Sequence, residues 1–254
     1  MEPIELREFL QWEPDYPEAI LDNGLLYAGS KAILYGDPKA GKSPLLQKLS
    51  LCLSRGEPWL GFQTPKEGLS VFYMQLELPA PLFRRRVYGM TRGLWLTKKP
   101  LVLWTEHYLK LDLEQGYNRL CRYLDQRRPD VLIIDPLYKV ISAVTKPDSV
   151  LPFIDNMDKL LDKYSGMTIV IAHHTRKPAA EEKGDKWGSD DMLGAGLFSA
   201  WADSIIKVER KPLVGSSSDA IKLTFDVVRY AEENIRPVSI TLNELFGSNV
   251  EVHV

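Results

Sequence analysis

The chain has 254 residues, of which 44% are hydrophobic and 26% charged, with a net charge of −2 and a pI near 6.1. This composition is ordinary for a globular protein with a large core and excludes a protein coated in positive charge. Any contact with nucleic acid must therefore come from a local patch or from a ring of subunits. The acidic start has no targeting pattern, Cys52 and Cys121 form no CxxC pair, and no apolar run reaches the roughly 18 residues of a membrane span. We therefore expect a soluble, cytoplasmic protein without a membrane contact.

Apolar runs alternate with helical patterns over most of the chain. The predicted strands are Lys31–Gly36, Leu69–Glu77, Pro100–Glu106, Asp130–Asp135 and Met167–His174. The predicted helices are Ser43–Arg55, Pro81–Leu94, Leu113–Arg127 and Val150–Tyr164. The strands are mostly continuous apolar runs, which is typical of strands buried on both faces of a parallel sheet. The alternation predicts a three-layer α/β domain.

The two ends of the chain have different patterns. Near the C-terminus, "DSIIKVER", "AIKLTFDVVRY" and "PVSITL" are consecutive strand-like runs, and we expect them to be antiparallel additions at one edge of the sheet. Residues 1–30 are predicted to be an N-terminal extension packed on the core, and residues 31–254 the main domain.

The segment "GDPKAGKS" fits the phosphate-loop pattern G-x-x-x-x-G-K-[ST] in full, between a strand and a helix. Glycines allow backbone N–H groups to point at phosphate oxygens, and the N-terminus of the helix adds positive potential. Lys42 is expected to reach the β- and γ-phosphates of ATP, and the Ser43 hydroxyl to bind Mg²⁺. The predicted nucleotide-binding residues are Gly36, Asp37, Pro38, Lys39, Ala40, Gly41, Lys42, Ser43 and Pro44.

Pro44 directly follows this motif, where a helix should begin. The first turn of a helix tolerates proline, because its N–H groups have no partner within the helix. Proline disfavours helical geometry at the preceding residue, Ser43, so we expect slightly unusual geometry there but a working site.

Two acidic residues follow predicted strands. Asp135 is expected to hold Mg²⁺ through a water molecule, at the sheet edge where ligands bind in open α/β folds; the alternative is a strand-ending residue in a turn. Glu77 is the predicted catalytic carboxylate, on the expectation that its strand lies next to the phosphate-loop strand. Glu106 is the second choice for this role. For both glutamates the alternative is a helix cap or a solvated strand end.

These motifs together resemble a RecA-like P-loop ATPase of the branch that contains RepA-type hexameric replicative helicases. The similar segments run from about Leu25 to Leu242 and are "ILYGDPKAGKS", "VFYMQLELPAPLFRRR", "VLIIDPL", "IVIAHHTRKP" and "GAGLFSAWADSIIKVER" followed by "LTFDVVRY". The resemblance implies a RecA-like fold with a mostly parallel central sheet and antiparallel strands at its C-terminal edge. It also implies Mg²⁺-dependent ATP hydrolysis by a homo-oligomer, a hexameric ring, that acts on single-stranded DNA.

The resemblance also suggests residue roles. It makes Glu77 the catalytic carboxylate and His174 a sensor of the γ-phosphate, the alternative for His174 being a buried core histidine. A basic finger from the neighbouring subunit corresponds best to Arg229, with Arg176 and Lys207 as rivals. A surface arginine at a strand end is the alternative for Arg229.

Some features weaken the resemblance to a DNA motor. Leu193 stands where family members often have an arginine. The segment Lys177–Asp191 contains Trp187, which could stack on a base, but its charges are mixed, so one subunit should bind DNA weakly. The basic run Phe83–Arg92 is interpreted as a solvated or interface helix. The leading hypothesis is a ring-forming motor in replication or repair, with a possible protein partner from either process. The alternative is a regulatory or loader ATPase that remodels a protein partner without translocating on DNA.

Overall fold

A computed structural model describes residues 3–94, 96–175, 195–212, 219–231, 233–241 and 244–245. The strands are β1 (Ala19–Leu21), β2 (Leu26–Tyr27), β3 (Lys31–Gly36), β4 (Val71–Gln75), β5 (Leu101–Thr105), β6 (Val131–Asp135), β7 (Thr168–His174), β8 (Ser204–Pro212), β9 (Asp219–Val228) and β10 (Val238–Thr241). The helices are α1 (Leu6–Gln11), α2 (Lys42–Arg55), α3 (Ala80–Thr91), α4 (Glu114–Arg127), α5 (Leu137–Val140), α6 (Pro147–Lys163) and α7 (Ala195–Trp201). None of the helices in these described ranges is long and apolar enough to cross a membrane.

The described strands β3 to β10 form one sheet in the order β10-β9-β8-β3-β7-β6-β4-β5. The neighbouring strands β8, β3, β7, β6, β4 and β5 are all parallel to one another. β9 pairs antiparallel with both β8 and β10. This arrangement confirms the predicted fold class of a mostly parallel sheet with antiparallel strands at its C-terminal edge. β8 pairs antiparallel with β9 and parallel with β3, so it joins the antiparallel edge to the parallel part of the sheet.

Alternate residues of the central strands pack on the two helical layers. On β3, Ala32 and Leu34 face the cluster that contains the apolar side chains of α2 and Phe83 of α3. Ile33 faces the other way, into the cluster built from α4, α5, α6 and α7. Both faces of β3, β4, β6 and β7 are therefore buried, which explains their continuous apolar runs.

Strand order contradicts one premise of the sequence analysis. The strand that precedes Glu77, β4, does not neighbour β3, because β7 and β6 lie between them. β5 is the edge strand beyond β4. Its residues are only partly buried, and Leu103 is 41% exposed. Continuous apolar runs look alike in central and edge strands, so hydropathy alone could not assign these positions.

The N-terminal residues form two unlike parts. The antiparallel pair β1–β2 buries Ile20 and Leu26 in the α2-side core, and the Ser204 hydroxyl donates a 2.6 Å hydrogen bond to the Leu25 carbonyl. In contrast, residues 3–18 are almost entirely exposed, including α1. Residues 19–28 therefore share one core with the later strands, and the domain boundary at residue 30 stays a prediction.

Candidate active site

The phosphate loop joins the C-terminal end of β3 to α2. Lys39 and Gly41 both have left-handed backbone conformations, with φ of 65° and 105°. A Cβ atom on Gly41 would lie 2.3 Å from Cδ1 of Ile221, and one on Gly36 would lie 2.2 Å from the carbonyl oxygen of Val208. Glycine is thus required because β8 and β9 pack tightly against this loop. The loop is shaped as a cradle of backbone groups, which fits a bound phosphate chain.

Lys42 begins α2 and is 5% exposed. Its amine donates to the carbonyl oxygens of Gly36, at 2.7 Å, and Asp37, at 2.8 Å, and lies 3.3 Å from Nδ1 of His174. Burial lowers the pKa of Lys42 to about 8, although Asp135, Asp37 and Glu77 oppose this effect. With a pKa of about 8 the amine is mostly protonated at neutral pH, so it can donate to an anion such as a phosphate.

Asp135 ends β6 and faces two hydroxyl groups. Ser43 Oγ donates to Asp135 Oδ1 at 3.0 Å, and the Tyr73 hydroxyl donates to Oδ2 at 2.5 Å. Burial raises the pKa of Asp135 to about 6, because the carboxyl is only 3% exposed, and the two hydrogen bonds reduce the rise. The paired hydroxyl and carboxylate oxygens are the donor type that Mg²⁺ prefers, so these residues fit that ion.

Pro44 is the third residue of α2. The first backbone hydrogen bond of the helix comes from Leu45, whose N–H donates to the Gly41 carbonyl at 3.1 Å. The missing N–H of Pro44 therefore removes no helical hydrogen bond. Ser43 is helical despite the proline that follows, and its hydroxyl reaches Asp135.

Glu77 follows β4 on a connection that Gln75 organises. The Gln75 side chain accepts hydrogen bonds from the N–H groups of Glu77, at 2.6 Å, and Leu78, at 2.5 Å. The carboxylate of Glu77 is exposed and accepts a hydrogen bond from the Tyr138 hydroxyl. Its charge acts on both Lys42 and Asp135, so Glu77 belongs to the same site although β4 is not next to β3.

The end of β7 contacts the phosphate loop. The His174 ring lies 5.3 Å from that of Tyr138, and burial together with the Lys42 charge lowers the pKa of His174. The neutral ring can thus accept a hydrogen bond from the Lys42 amine. Thr175 donates its hydroxyl to the Asp37 carboxylate and its N–H to the Gly36 carbonyl. The neighbouring His173 is 1% exposed and packs against Phe198, so it is the core histidine of the pair.

Comparison with known proteins identifies this arrangement. A family model described as an AAA domain matches residues 2–180, which is more than half of the chain. The chain belongs to the AAA domain family. Among solved structures, one described as an ATPase domain matches it with a TM-score of 0.62 at 10% identity, over 86% of this chain and 84% of that one. No curated protein matches the sequence. At this identity the structural match shows the fold alone. Family and fold together confirm the predicted RecA-like P-loop ATPase.

Arg229 lies at the end of the sheet opposite the phosphate loop, because Val228 pairs with Ser204 and Ser204 pairs with Ala32 near the start of β3. Its backbone N–H donates to the Asp203 carbonyl, and the Asp203 N–H donates to the carbonyl of Lys31 at the start of β3. The guanidinium lies 3.5 Å from the Asp203 carboxylate, is about half exposed, and donates to the carbonyls of Ala200 and Ala202. Its role as a finger toward a neighbouring subunit stays a prediction.

Lys207 and Glu106 are the other described candidates for the basic finger and the catalytic carboxylate. Lys207 pairs in register with Tyr35 at the phosphate-loop end of β3, and its amine lies 3.4 Å from Glu209. Glu106 is held at the end of β5, where it accepts hydrogen bonds from two backbone N–H groups and pairs with Arg119 at 2.5 Å. Arg176, the segment Lys177–Asp191 and Leu193 lie outside the described residues.

Four side chains of the site were not singled out by the sequence analysis: Tyr73, Gln75, Tyr138 and Thr175. Gln75 carried a usable signal, because it is a polar residue within an apolar run, two positions before Glu77. The three hydroxyl residues carried none, because tyrosine and threonine are common both in strands and in cores.

Proposed function

We propose that the protein is a Mg·ATP-dependent ATPase that works as a homo-oligomeric, hexameric ring on single-stranded DNA in replication or repair. One observation supports it above the others. Lys42, Ser43, Asp135 and Glu77 converge at the carboxyl edge of the sheet although they come from distant parts of the sequence. A cation, a hydroxyl–carboxylate pair and a second carboxylate are the groups that phosphoryl transfer to water requires.

In this proposal the phosphate chain of ATP lies on the backbone N–H groups between Gly36 and Ser43. The Lys42 amine exchanges its hydrogen bonds with the loop carbonyls for the β- and γ-phosphate oxygens. Ser43 and Asp135 would hold Mg²⁺, the carboxylate through a water molecule. The bound ion would neutralise negative charge on the phosphate oxygens.

Glu77 orients and deprotonates the attacking water. The water oxygen forms a bond to the γ-phosphorus, and the bond between this phosphorus and the β–γ bridging oxygen breaks. The proton moves to the Glu77 carboxylate, and the products are ADP and inorganic phosphate. Lys42 stabilises the charge that develops on the phosphoryl oxygens.

A neighbouring subunit would complete the site in a head-to-tail ring. A basic finger stabilises the transition state of phosphoryl transfer, and Arg229, Lys207 and Arg176 are the candidates. Lys207 lies at the same sheet edge as the phosphate loop, whereas Arg229 lies at the opposite edge and is partly exposed. The Arg229 side chain is 49% exposed and the Lys207 side chain 14%, so Arg229 is the more accessible of the two to a neighbouring subunit.

Action on single-stranded DNA is supported by how β7 ends. His174 contacts Lys42, and Thr175 contacts Asp37, immediately before the segment that carries Trp187 and several lysines. Binding or release of a phosphate would therefore change the contacts of the two residues that precede that segment. A DNA substrate fits a cytoplasmic location.

The second candidate is a regulatory or loader ATPase that remodels a protein partner. Its support is the net charge of −2 together with an exposed apolar N-terminal segment. The exposed large side chains in that segment are Ile4, Leu6, Phe9, Leu10, Trp12 and Tyr16. Such a surface suits a protein more than a polyanion.

The deciding experiment is steady-state ATP hydrolysis with and without single-stranded DNA, at several protein concentrations and modest salt. Stimulation by DNA, with specific activity rising as concentration drives assembly, would support the ring motor. Concentration-dependent turnover that ignores DNA would favour the remodelling ATPase. Lys42→Ala serves as the control for contaminating ATPases.

A further inference from the structure

Tyr138 connects two residues of the site that come from different strands. Its hydroxyl donates a hydrogen bond to Oε1 of Glu77, and its ring packs on the imidazole of His174, with 5.3 Å between centroids and 53° between planes. His174 in turn contacts the Lys42 amine. Tyr138 thus lies between the phosphate-loop lysine and the proposed catalytic carboxylate.

The short helix that carries Tyr138 is fixed by contacts away from the site. Leu137 and Val140, on either side of Tyr138, are both fully buried in the core. The Lys110 amine donates to the carbonyl oxygens of Lys139, at 3.0 Å, and Ile141, at 2.8 Å, at the C-terminal end of α5. The backbone under Tyr138 is therefore held by contacts that do not involve the phosphate loop.

Glu77 lacks comparable support for its side chain. Gln75 fixes the backbone of Glu77, but the carboxylate is exposed and has rotamer freedom. Among the described residues, Tyr138 is the side chain that hydrogen-bonds this carboxylate. The bond engages Oε1 and leaves Oε2 for a water molecule.

We propose that Tyr138 is a positioning residue, whose hydroxyl holds the Glu77 carboxylate in the orientation that activates the attacking water. This inference rests on the proposed function and adds to it a residue that sets turnover without binding nucleotide. Burial and the hydrogen bond to Glu77 raise the pKa of the Tyr138 hydroxyl well above its usual range. The hydroxyl therefore keeps its proton, and remains a donor, at neutral pH.

The direct test is Tyr138→Phe, which keeps the ring against His174 and removes only the hydroxyl. A hydrogen bond to a charged group is stronger than one between neutral groups, but the exposure of Glu77 places this one at the lower end of the range. We therefore expect kcat to fall about tenfold, with KM for ATP and nucleotide affinity unchanged. Tyr108→Phe is the matched control, because the Tyr108 side chain is 76% exposed.

A double-mutant cycle separates positioning from a general structural effect. Glu77→Gln should lower kcat about a hundredfold or more. Once the carboxylate is gone, adding Tyr138→Phe should lower kcat no further, since the two residues act as a unit. Residual rates are measured as single turnovers with the enzyme in excess.

The outcomes distinguish this inference from the proposed function. Wild-type kcat in Tyr138→Phe, an equal tenfold loss in the Glu77→Gln background, or a raised KM with unchanged kcat would each overturn the positioning role. Full turnover in Glu77→Gln would instead overturn the assignment of Glu77 as the catalytic carboxylate, whatever Tyr138→Phe does.

Discussion

Replacing the buried carboxylate at the end of β6 should stabilise the free protein while reducing its activity. Asp135 is 3% exposed, and burial raises its pKa from 3.8 to about 6. Above pH 6 the folded protein must hold a buried charge that the unfolded chain exposes to water. Asp135→Asn removes this charge and retains the shape of the side chain, so we expect a higher unfolding temperature together with lower ATP turnover.

The magnitude follows from linkage between protonation and folding. A pKa difference between 3.8 and about 6 corresponds to about 3 kcal/mol, at about 1.4 kcal/mol per pH unit. Asparagine offers one acceptor oxygen, so either Ser43 or Tyr73 loses its acceptor, which costs about 1 kcal/mol. A net gain of about 1–2 kcal/mol at pH 7 corresponds to a rise of about 2–8 °C in unfolding temperature for a chain of this size.

The pH dependence provides the internal check. Because the folded pKa is raised, the folded state binds the proton more tightly, and the penalty is present in full above pH 6. It decreases as pH falls and disappears near pH 4, where both states are protonated. Thermal unfolding of both proteins from pH 4 to 8 should show a gap that closes toward acid. Asp203→Asn is the matched control, because Asp203 is equally buried but paired with Lys31 and Arg229, and its replacement should destabilise. If Asp135→Asn is less stable than wild type at pH 7, the cost of burying the charge is smaller than the stabilisation from the hydrogen bonds that this carboxylate accepts.

Further variants test the phosphate loop, the proposed finger and the backbone. Lys42→Ala should abolish turnover and leave the circular dichroism spectrum unchanged, and an unaltered rate would contradict its assigned phosphate contact. Arg229→Ala should bind nucleotide normally but hydrolyse it about a thousandfold more slowly in the assembled state; full-rate hydrolysis there would exclude Arg229 and turn attention to Lys207→Ala. Gly24→Ala puts a Cβ 2.4 Å from a backbone carbonyl, whereas Gly61→Ala meets no atom within 4 Å, and both have positive φ. Denaturant titration should show a loss of about 1 kcal/mol for Gly61→Ala and at least about 2 kcal/mol more for Gly24→Ala, and equal losses would refute the steric argument.

The phosphate loop and the central strands could be predicted because their signals are local. Gly36, Gly41, Lys42 and Ser43 occupy fixed positions within eight residues, and the close approach of β8 and β9 explains why glycine is needed at two of them. Apolar runs marked the strands, with β3 at its observed bounds and β7 within one residue of them. Because these strands are buried on both faces, apolar and polar residues do not alternate along them, and the apolar run marks the strand directly.

Features that depend on tertiary contacts could not be predicted. The direction of β8 and the separation of β4 from β3 follow from how connections cross the sheet, which apolar runs do not encode. The short helix α5 has four residues, too few to show a helical period. Tyr73 has no local signal at all, because its role depends on Asp135, a residue 62 positions away in sequence.

The strand order that the sequence missed also explains the composition of the site. If β4 lay beside β3, Glu77 would face the phosphate loop directly and would need no intermediary. Instead β7 and β6 lie between them, and each of these strands contributes one residue. His174 is the last residue of β7, and Tyr138 lies in α5, directly after β6. The distance between Lys42 and Glu77 is thus bridged by side-chain contacts in the same order as the strands. Because each contact joins neighbouring strand ends, side chains connect Glu77 to the phosphate loop across the two strands that separate β4 from β3.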